Sequence, residues 1–163
     1  MINNVYFYGG AFNPMTLSHL NIIKNILSEM NNDDLLLIGI TDHNYKKIEY
    51  SYELREKILT KNLLAYCNFP EKRIKVIKQD KRTWEFLNSL YYKKYTLVIG
   101  QDEYEDLINK KWHYSNEILN TFNLKVIPRT DGISSSKVRE LLKNKNYQII
   151  KNYISEETYK LLI

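Results

Sequence analysis

The chain has 163 residues, of which 44% are hydrophobic, 26% charged and 13% aromatic. This composition supplies enough apolar side chains for a hydrophobic core, which excludes an intrinsically disordered protein, and the length fits a single domain over residues 1–163. Lysine and arginine total 24 against 19 aspartate and glutamate residues, a net charge of +5. The lysines are spread along the chain, which favours a solvated basic surface over a nucleic-acid-binding patch.

No apolar run reaches the roughly 18 residues that a membrane helix needs, and the N-terminal sequence MINNVYFYGG lacks the pattern of a secretion signal. We therefore expect a cytoplasmic protein with no membrane partner. Cys67 is the only cysteine, which excludes an internal disulfide and a metal site built from several cysteines.

Short apolar segments alternate with longer segments of helical periodicity. The short segments are rich in β-branched or aromatic residues and predict five buried strands at residues 5–8, 35–40, 74–77, 97–99 and 124–127. The longer segments carry apolar residues three and four apart and predict six helices, marked by Leu20, Ile23, Leu27 and Met30; Leu54, Ile58, Leu63 and Tyr66; Trp84, Leu87 and Tyr91; Tyr104, Leu107 and Ile108; Val138, Leu141 and Leu142; and Tyr159, Leu162 and Ile163. Ser51 and Ser155 are suited to cap the second and the last of these helices.

This alternation predicts an α/β protein with a Rossmann-like, doubly wound, parallel five-stranded sheet and helices on both faces. Ligands of such sheets bind outside the carboxyl ends of the strands. The loops that follow the five predicted strands, at residues 9–19, 41–50, 78–83, 100–102 and 128–136, are therefore the segments expected to carry the chemistry.

The loop after the first predicted strand reads YGGAFNPMTLSHL. Gly9 and Gly10 allow a ligand to approach the backbone, and the helix after Thr16 offers unpaired N–H groups and a positive dipole end to an anion. Thr16 and His19 lie three apart, so a hydroxyl and an imidazole can face the same anion. A histidine alone is more often structural, but the position of His19 at a helix start behind two glycines favours catalysis. The dinucleotide motif Gly-x-Gly-x-x-Gly and the P-loop motif are both absent.

The loop after the fifth predicted strand reads RTDGISSSKVREL. It places a run of hydroxyl side chains and one arginine around a second helix start, namely Ser134, Ser135, Ser136 and Arg139. Such a helix start is suited to an anion, and an arginine one turn along can contact a phosphate. A serine run before a helix is equally often only an N-cap. Two such helix starts at the same end of one sheet favour an anion site.

The loop after the fourth strand contains Gly100 and Asp102 in the sequence VIGQD. An acidic side chain at this position can accept hydrogen bonds from ribose hydroxyls or simply cap a helix. Nucleophilic catalysis is not expected, because the chain lacks a Gly-x-Ser-x-Gly motif and Cys67 lies in an apolar helical pattern. His43 and His113 have no partner that the sequence identifies.

Together, YGGAFNPMTLSHL and ISSSKVREL resemble the paired signature of the nucleotidyltransferase superfamily, whose motifs are written (H/T)xGH and ISSTxxR. The segment VIGQDEYEDLINKKWHYSNEIL resembles the Gly-x-Asp segment and following tryptophan of the nicotinate and nicotinamide mononucleotide adenylyltransferases. The resemblance extends over essentially the whole chain and is dense in these three segments. Ser18 stands where the first motif has glycine, and Ser136 stands where the second has threonine.

The resemblance implies transfer of AMP from ATP to nicotinate or nicotinamide mononucleotide, with release of pyrophosphate and with Mg²⁺ bound through the ATP phosphates and no metal site of the protein's own. It implies catalytic roles for His19, Thr16 and Arg139. It implies ATP contacts for Gly9, Gly10, Ala11, Phe12, Gly100, Asp102, Ser134, Ser135, Ser136 and either Lys46 or Lys47, and acceptor contacts for Thr83, Trp112 and Arg129. Nicotinate and nicotinamide stay open as the acceptor base.

Other functions also stay open. Phosphopantetheine adenylyltransferases have a similar first motif and a chain length close to this one, so phosphopantetheine or a related small phosphate ester is the alternative acceptor. A nucleotide-sensing module without catalysis is the alternative from another class, because Thr16 replaces the first histidine of the motif. An RNA-binding domain is not favoured, since the aromatics are not interleaved with arginine and lysine on a recognisable module. A homo-oligomer stays open, because tyrosine-rich helices suit an interface as well as the edge of a core.

Overall fold

The computed structural model describes residues 2–43, 47–69, 73–128 and 132–163. Its elements in chain order are β1 (Val5–Gly10), α1 (Leu17–Glu29), β2 (Leu35–Thr41), α2 (Tyr52–Tyr66), β3 (Ile74–Gln79), α3 (Thr83–Asn88), β4 (Tyr95–Gly100), α4 (Gln101–Ile108), α5 (Ser115–Thr121), β5 (Asn123–Ile127), α6 (Ser135–Lys143), α7 (Tyr147–Ile150) and α8 (Glu156–Leu162). The residues divide into two compact units. Unit 1 contains all five strands with α3, α4 and α5, and unit 2 contains α1, α2, α6, α7 and α8. Within the described ranges, no helix has the length and apolar character needed to cross a membrane.

The five strands of unit 1 form one parallel sheet in the order β3-β2-β1-β4-β5. Each predicted strand is present and is one to three residues longer than predicted. These observations confirm the Rossmann-like α/β fold class. The chain moves outward from β1 to β3 and then returns to place β4 on the other side of β1, so the strand order reverses between β1 and β4. Gly10 and Gly100 end these two strands, at the switch point where ligands of such sheets bind.

Alternate side chains of the central strands are buried on both faces of the sheet. Phe7, Leu37 and Leu97 belong to one hydrophobic cluster, which also contains residues of α3, α4 and α5. The residues that alternate with them on two of these strands, Leu36 and Val98, are at most 2% exposed. Continuous burial of this kind explains why the strands read as uninterrupted apolar runs in the sequence.

A pair of glycines on β1 and β2 leaves room for two larger side chains. Gly9 and Gly39 are register partners. A Cβ on either glycine would lie 2.8 to 2.9 Å from the ring of Phe7 and 2.9 to 3.1 Å from Oε1 of Gln79. Alanine at either position would therefore have to displace one of these neighbours. The sequence predicts a contact between Gly9 and ATP. Packing within unit 1 is by itself sufficient to require glycine at this position.

Helical periodicity located six of the eight helices formed by the described residues but assigned some faces wrongly. Tyr91 is fully exposed and lies beyond the end of α3, and Tyr66 at the end of α2 is 37% exposed. The buried face of α2 instead includes the polar residues Arg55 and Asn62. Helices α5 and α7, which have seven and four residues, were not predicted, because elements this short carry too few turns to establish a period.

The predicted serine caps are both present in unit 2. Ser51 Oγ accepts a hydrogen bond from the backbone N–H of Leu54 at 3.2 Å, and Ser155 Oγ accepts one from Thr158 N–H at 3.1 Å. Ser155 also donates to Oδ1 of Asn62 at 2.5 Å, and Asn62 Nδ2 donates to the hydroxyl of Thr158 at 3.0 Å. This buried network joins α2 to α8.

Candidate active site

The first loop leads from β1 into α1, and Thr16 immediately precedes the helix. Its carbonyl accepts a helical hydrogen bond from Leu20 N–H at 3.1 Å, and its hydroxyl lies 3.4 Å from the N–H of His19. Thr16 is 2% exposed, and its hydroxyl also lies 3.1 Å from Nδ1 of His19. The Thr16 hydroxyl is therefore buried next to the imidazole, which favours a role in supporting the ring over a direct contact with an anion.

The backbone of Thr16 fixes the tautomer of a neutral His19. Thr16 N–H donates to Nδ1 of the imidazole at 2.9 Å, so Nδ1 carries a lone pair and the proton is on Nε2. The ring of Phe12 packs against the imidazole with 4.9 Å between ring centroids, which restricts its rotation. His19 therefore presents an Nε2–H donor suited to a phosphate oxygen.

The second motif is hydrogen-bonded to the first. Ser135 Oγ donates to the carbonyl of Pro14 at 2.7 Å. Arg139 Nη1 donates to the carbonyl of Asn13, also at 2.7 Å. The two motif segments, predicted from the sequence to converge, lie side by side in unit 2, although more than 120 positions separate these residues along the chain.

The three serines of the second motif make different contacts. Ser134 caps α6 by accepting a hydrogen bond from Lys137 N–H at 3.2 Å, as the N-cap alternative predicted. Ser135 is bonded to the first loop. Ser136 is exposed, and its hydroxyl accepts a hydrogen bond from Nη2 of Arg139 at 3.1 Å. Ser136 is thus the serine of this run whose accessible hydroxyl lies beside the arginine.

The segment before α2 is also tied to the first loop. Tyr50 N–H donates to Oδ1 of Asn13 at 3.0 Å, and Nε of Arg55 donates to the carbonyl of Tyr50 at 3.0 Å. Burial raises the pKa of the Tyr50 phenol, an effect that the nearby cation of Arg139 opposes. Lys47, three residues earlier, is exposed. The other candidate lysine, Lys46, and the predicted acceptor contact Arg129 both lie outside the described residues.

Besides Gly9 and Gly10 on β1, four predicted site residues among those described belong to unit 1. Gly100 precedes α4, and its N–H donates to Oε1 of Glu103 at 3.1 Å. Asp102 is exposed in the first turn of the same helix. Thr83 begins α3, and Trp112 lies between α4 and α5, partly buried against the hydrophobic cluster of this unit. Their contacts with ATP and the acceptor stay predictions.

Gln79 is a residue of this region that the sequence did not reveal. It is 5% exposed at the end of β3, and its Nε2 donates to the carbonyl of Lys81 at 3.0 Å. The side chain lies across Gly9 and Gly39 and holds the loop that leads to Thr83. A polar residue at the end of a predicted strand was the available signal, and the space left by two glycines on neighbouring strands becomes visible only with the sheet order known.

A model of cytidylyltransferase-like proteins matches residues 7–141, which include both motif segments. The chain belongs to the cytidylyltransferase-like family. A probable nicotinate-nucleotide adenylyltransferase of Fusobacterium nucleatum is 29% identical over 161 residues, a match that covers 91% of this chain and 79% of the relative. A phosphopantetheine adenylyltransferase of Streptococcus pyogenes is 27% identical over 147 residues, which cover 87% of this chain and 85% of that protein.

Solved structures of two nicotinate-nucleotide or nicotinic acid mononucleotide adenylyltransferases share the fold. A putative nicotinate-nucleotide adenylyltransferase from Vibrio parahaemolyticus has a TM-score of 0.75 at 22% identity, with 99% of both chains covered. The nicotinic acid mononucleotide adenylyltransferase of Plasmodium falciparum, solved in complex with NaAD, has a TM-score of 0.76 at 20% identity, with 98% of this chain and 94% of that chain covered. At these identities the similarity concerns the fold, and it extends over nearly the full length.

Proposed function

We propose that this chain is an ATP-dependent adenylyltransferase that transfers AMP to nicotinate or nicotinamide mononucleotide. The observation that carries the proposal is the pair of hydrogen bonds from Ser135 and Arg139 to the first loop, because they bring the second motif beside the segment that carries His19. The Fusobacterium relative, named a probable nicotinate-nucleotide adenylyltransferase, supports the choice of acceptor. We place the reaction in the cytoplasm, with small molecules and neither nucleic acid nor membrane as partners.

In this reaction an oxygen of the acceptor phosphate attacks the α-phosphorus of ATP. The bond from the α-phosphorus to the bridging oxygen breaks, and pyrophosphate leaves with the bonding electrons. Catalysis of such a transfer consists mainly of positioning two anions and stabilising the charge that develops on them. In this assignment, Nε2–H of His19 donates a hydrogen bond to the developing charge, and Thr16 supports the imidazole. Ser136 and Arg139 contact the β- and γ-phosphates.

The remaining predicted contacts complete this assignment. Gly100 and Asp102 meet the adenosine, Thr83 meets the acid or amide of the acceptor ring, and Trp112 stacks on that ring. Further ATP contacts are assigned to the first loop, to two serines of the second motif and to one lysine, namely Gly9, Gly10, Ala11, Phe12, Ser134, Ser135 and either Lys46 or Lys47. Arg129 is assigned to the acceptor.

Mg²⁺ is the expected companion of the ATP. Over the described ranges, no three His, Cys, Asp or Glu side chains group together as a ligand set for a metal ion. Mg²⁺ commonly keeps several waters and binds substrate phosphates, so the residues present fit an ion carried by ATP. When bound, it neutralises part of the phosphate charge. Lys47, which is exposed, is available to approach the same phosphates.

A panel of acceptors tests the proposed reaction. Pyrophosphate release is measured with ATP and Mg²⁺ and with nicotinate mononucleotide, nicotinamide mononucleotide or phosphopantetheine in separate reactions. We expect turnover with a pyridine mononucleotide. Turnover with phosphopantetheine alone would contradict this acceptor and favour the second candidate, to which the Streptococcus relative points. Binding of ATP without turnover of any acceptor would instead favour a nucleotide-sensing module.

A further inference from the structure

Arg55 is a buried arginine on α2 that joins two segments of unit 2. It is 1% exposed. Its Nη1 donates to the carbonyl of Ala11 at 2.9 Å, and its Nε donates to the carbonyl of Tyr50 at 3.0 Å. Its guanidinium lies 5.8 Å from the ring centroid of Tyr52. One side chain thus links the first motif loop to the segment that follows Lys47.

If Arg55 served only to fill space in the core, the burial of its positive charge would be energetically unfavourable. Removing a guanidinium from water carries a large desolvation penalty, which hydrogen bonds to carbonyl groups offset only in part. An apolar side chain at the same place on α2 would fill the space without that penalty. What the arginine adds is a planar set of donors that can hold two carbonyl groups at once.

The bond from Arg55 also sets the direction of a peptide group in the first loop. In a trans peptide group the C=O and the N–H point to opposite sides. Because the Ala11 carbonyl faces Arg55, the N–H of Phe12 points away from the guanidinium. The bond therefore fixes the orientation of the Ala11–Phe12 peptide group relative to α2.

Two more carbonyl groups of the loop are held in the same way. Those of Asn13 and Pro14 accept hydrogen bonds from Arg139 and Ser135. A carbonyl oxygen carries partial negative charge and repels a phosphate, whereas N–H groups attract it. A loop whose carbonyl oxygens are bonded to side-chain donors is therefore prepared for an anion before the anion arrives.

We propose that Arg55 is a positioning residue for ATP, although it makes no contact with the nucleotide itself. It orients the Ala11–Phe12 peptide group and ties the segment at Tyr50 to the first loop. The proposal rests on the proposed function, because it takes the triphosphate of ATP as the ligand of this loop. This role predicts a higher KM for ATP with little change in the KM for the acceptor.

The test compares Arg55→Lys with Asn62→Ala. Lysine keeps the charge but has a single ammonium group in place of the guanidinium fork, so it cannot reproduce both hydrogen bonds. Asn62 lies on the same helix, is also 1% exposed, and is bonded to Ser155 and Thr158 of α8. Both variants lose a buried polar contact, but only Arg55→Lys loosens the loop. We expect the KM for ATP to rise about tenfold or more in Arg55→Lys, with the KM for the acceptor within about twofold of wild type, and both constants to be nearly unchanged in Asn62→Ala.

Asn13→Ala provides a second test if Arg55→Lys does not fold. It removes the Oδ1 acceptor of Tyr50 N–H, and so weakens the same link without touching the buried charge. We expect a smaller rise in the KM for ATP. An unchanged KM for ATP in the folded variant would contradict the positioning role, and so would an equal rise in Asn62→Ala. If the wild-type protein itself fails to bind a non-hydrolysable ATP analogue in calorimetry, the proposed function fails instead, which distinguishes the two failures.

Discussion

We expect replacement of His19 by alanine to lower kcat by about 10²- to 10⁴-fold, the range typical of removing a positioned proton donor or charge-stabilising group. The reason is the tautomer of His19, which the hydrogen bond from Thr16 N–H favours and in which Nε2–H is the proposed donor to the developing phosphate charge. The KM for ATP changes far less, because most of the binding contacts persist. Steady-state release of pyrophosphate with the preferred acceptor measures both constants.

Asn21→Ala is the control for this variant. Asn21 is exposed on α1, two residues beyond His19, so its replacement tests whether any change on this helix lowers the rate. We expect its kcat to stay near that of wild type. A kcat for His19→Ala within about fivefold of wild type would contradict the assigned role, since loss of the donor should cost more than that.

We expect replacement of Arg139 by alanine to lower kcat/KM for ATP by about 30- to 100-fold, in keeping with the loss of charged hydrogen bonds. The variant loses the bond that holds the Asn13 carbonyl and the cation assigned to the β- and γ-phosphates. Arg139→Lys should recover only part of the loss, because an ammonium group cannot bind Asn13 and Ser136 with the geometry of a guanidinium. Initial rates at varied ATP concentration give the comparison.

Lys137→Ala is the matched control for Arg139→Ala. Lys137 lies on the same helix, its side chain is 44% exposed, and it pairs with Glu140 at 3.9 Å. Its removal changes the net charge by the same amount without touching the first loop, so we expect kcat/KM within about twofold of wild type, in keeping with the small contribution of exposed ion pairs. Equal losses in the two variants would indicate a general effect of net charge and would contradict the specific role of Arg139.

The fold was predictable because short apolar segments alternate with helical patterns, and all five strands were located from that alternation. The central strands β1, β2 and β4 are largely buried, as expected, whereas the edge strands β3 and β5 are mostly only partly buried, so the prediction of burial was wrong for these two. The serine caps were predictable for a related reason, since a hydroxyl before a helical pattern has a local role that needs no knowledge of distant residues. Ser51, Ser134 and Ser155 all cap helices.

The buried polar residues were not predictable from the same patterns. A charged or amide side chain within a helical segment usually faces solvent, so the pattern predicts Tyr66 on the buried face of α2 and does not predict Arg55 or Asn62 there. In the structure Arg55 and Asn62 are buried and Tyr66 is exposed. Their contacts are with residues tens of positions away, such as Ala11 and Thr158, and only the folded chain brings these together. The motif residues carry local signals, namely glycines or a serine run at a helix start after a strand, and they also resemble a known family, whereas the residues that hold them in place carry neither signal.

A crystal structure with a non-hydrolysable ATP analogue tests the central claim most directly, namely that both motif segments of unit 2 serve one triphosphate. The account predicts phosphate oxygens within hydrogen-bonding distance of Nε2 of His19 and also of the Ser136 hydroxyl or the Arg139 guanidinium. A triphosphate bound to one of these segments alone, with the other facing solvent, would contradict it.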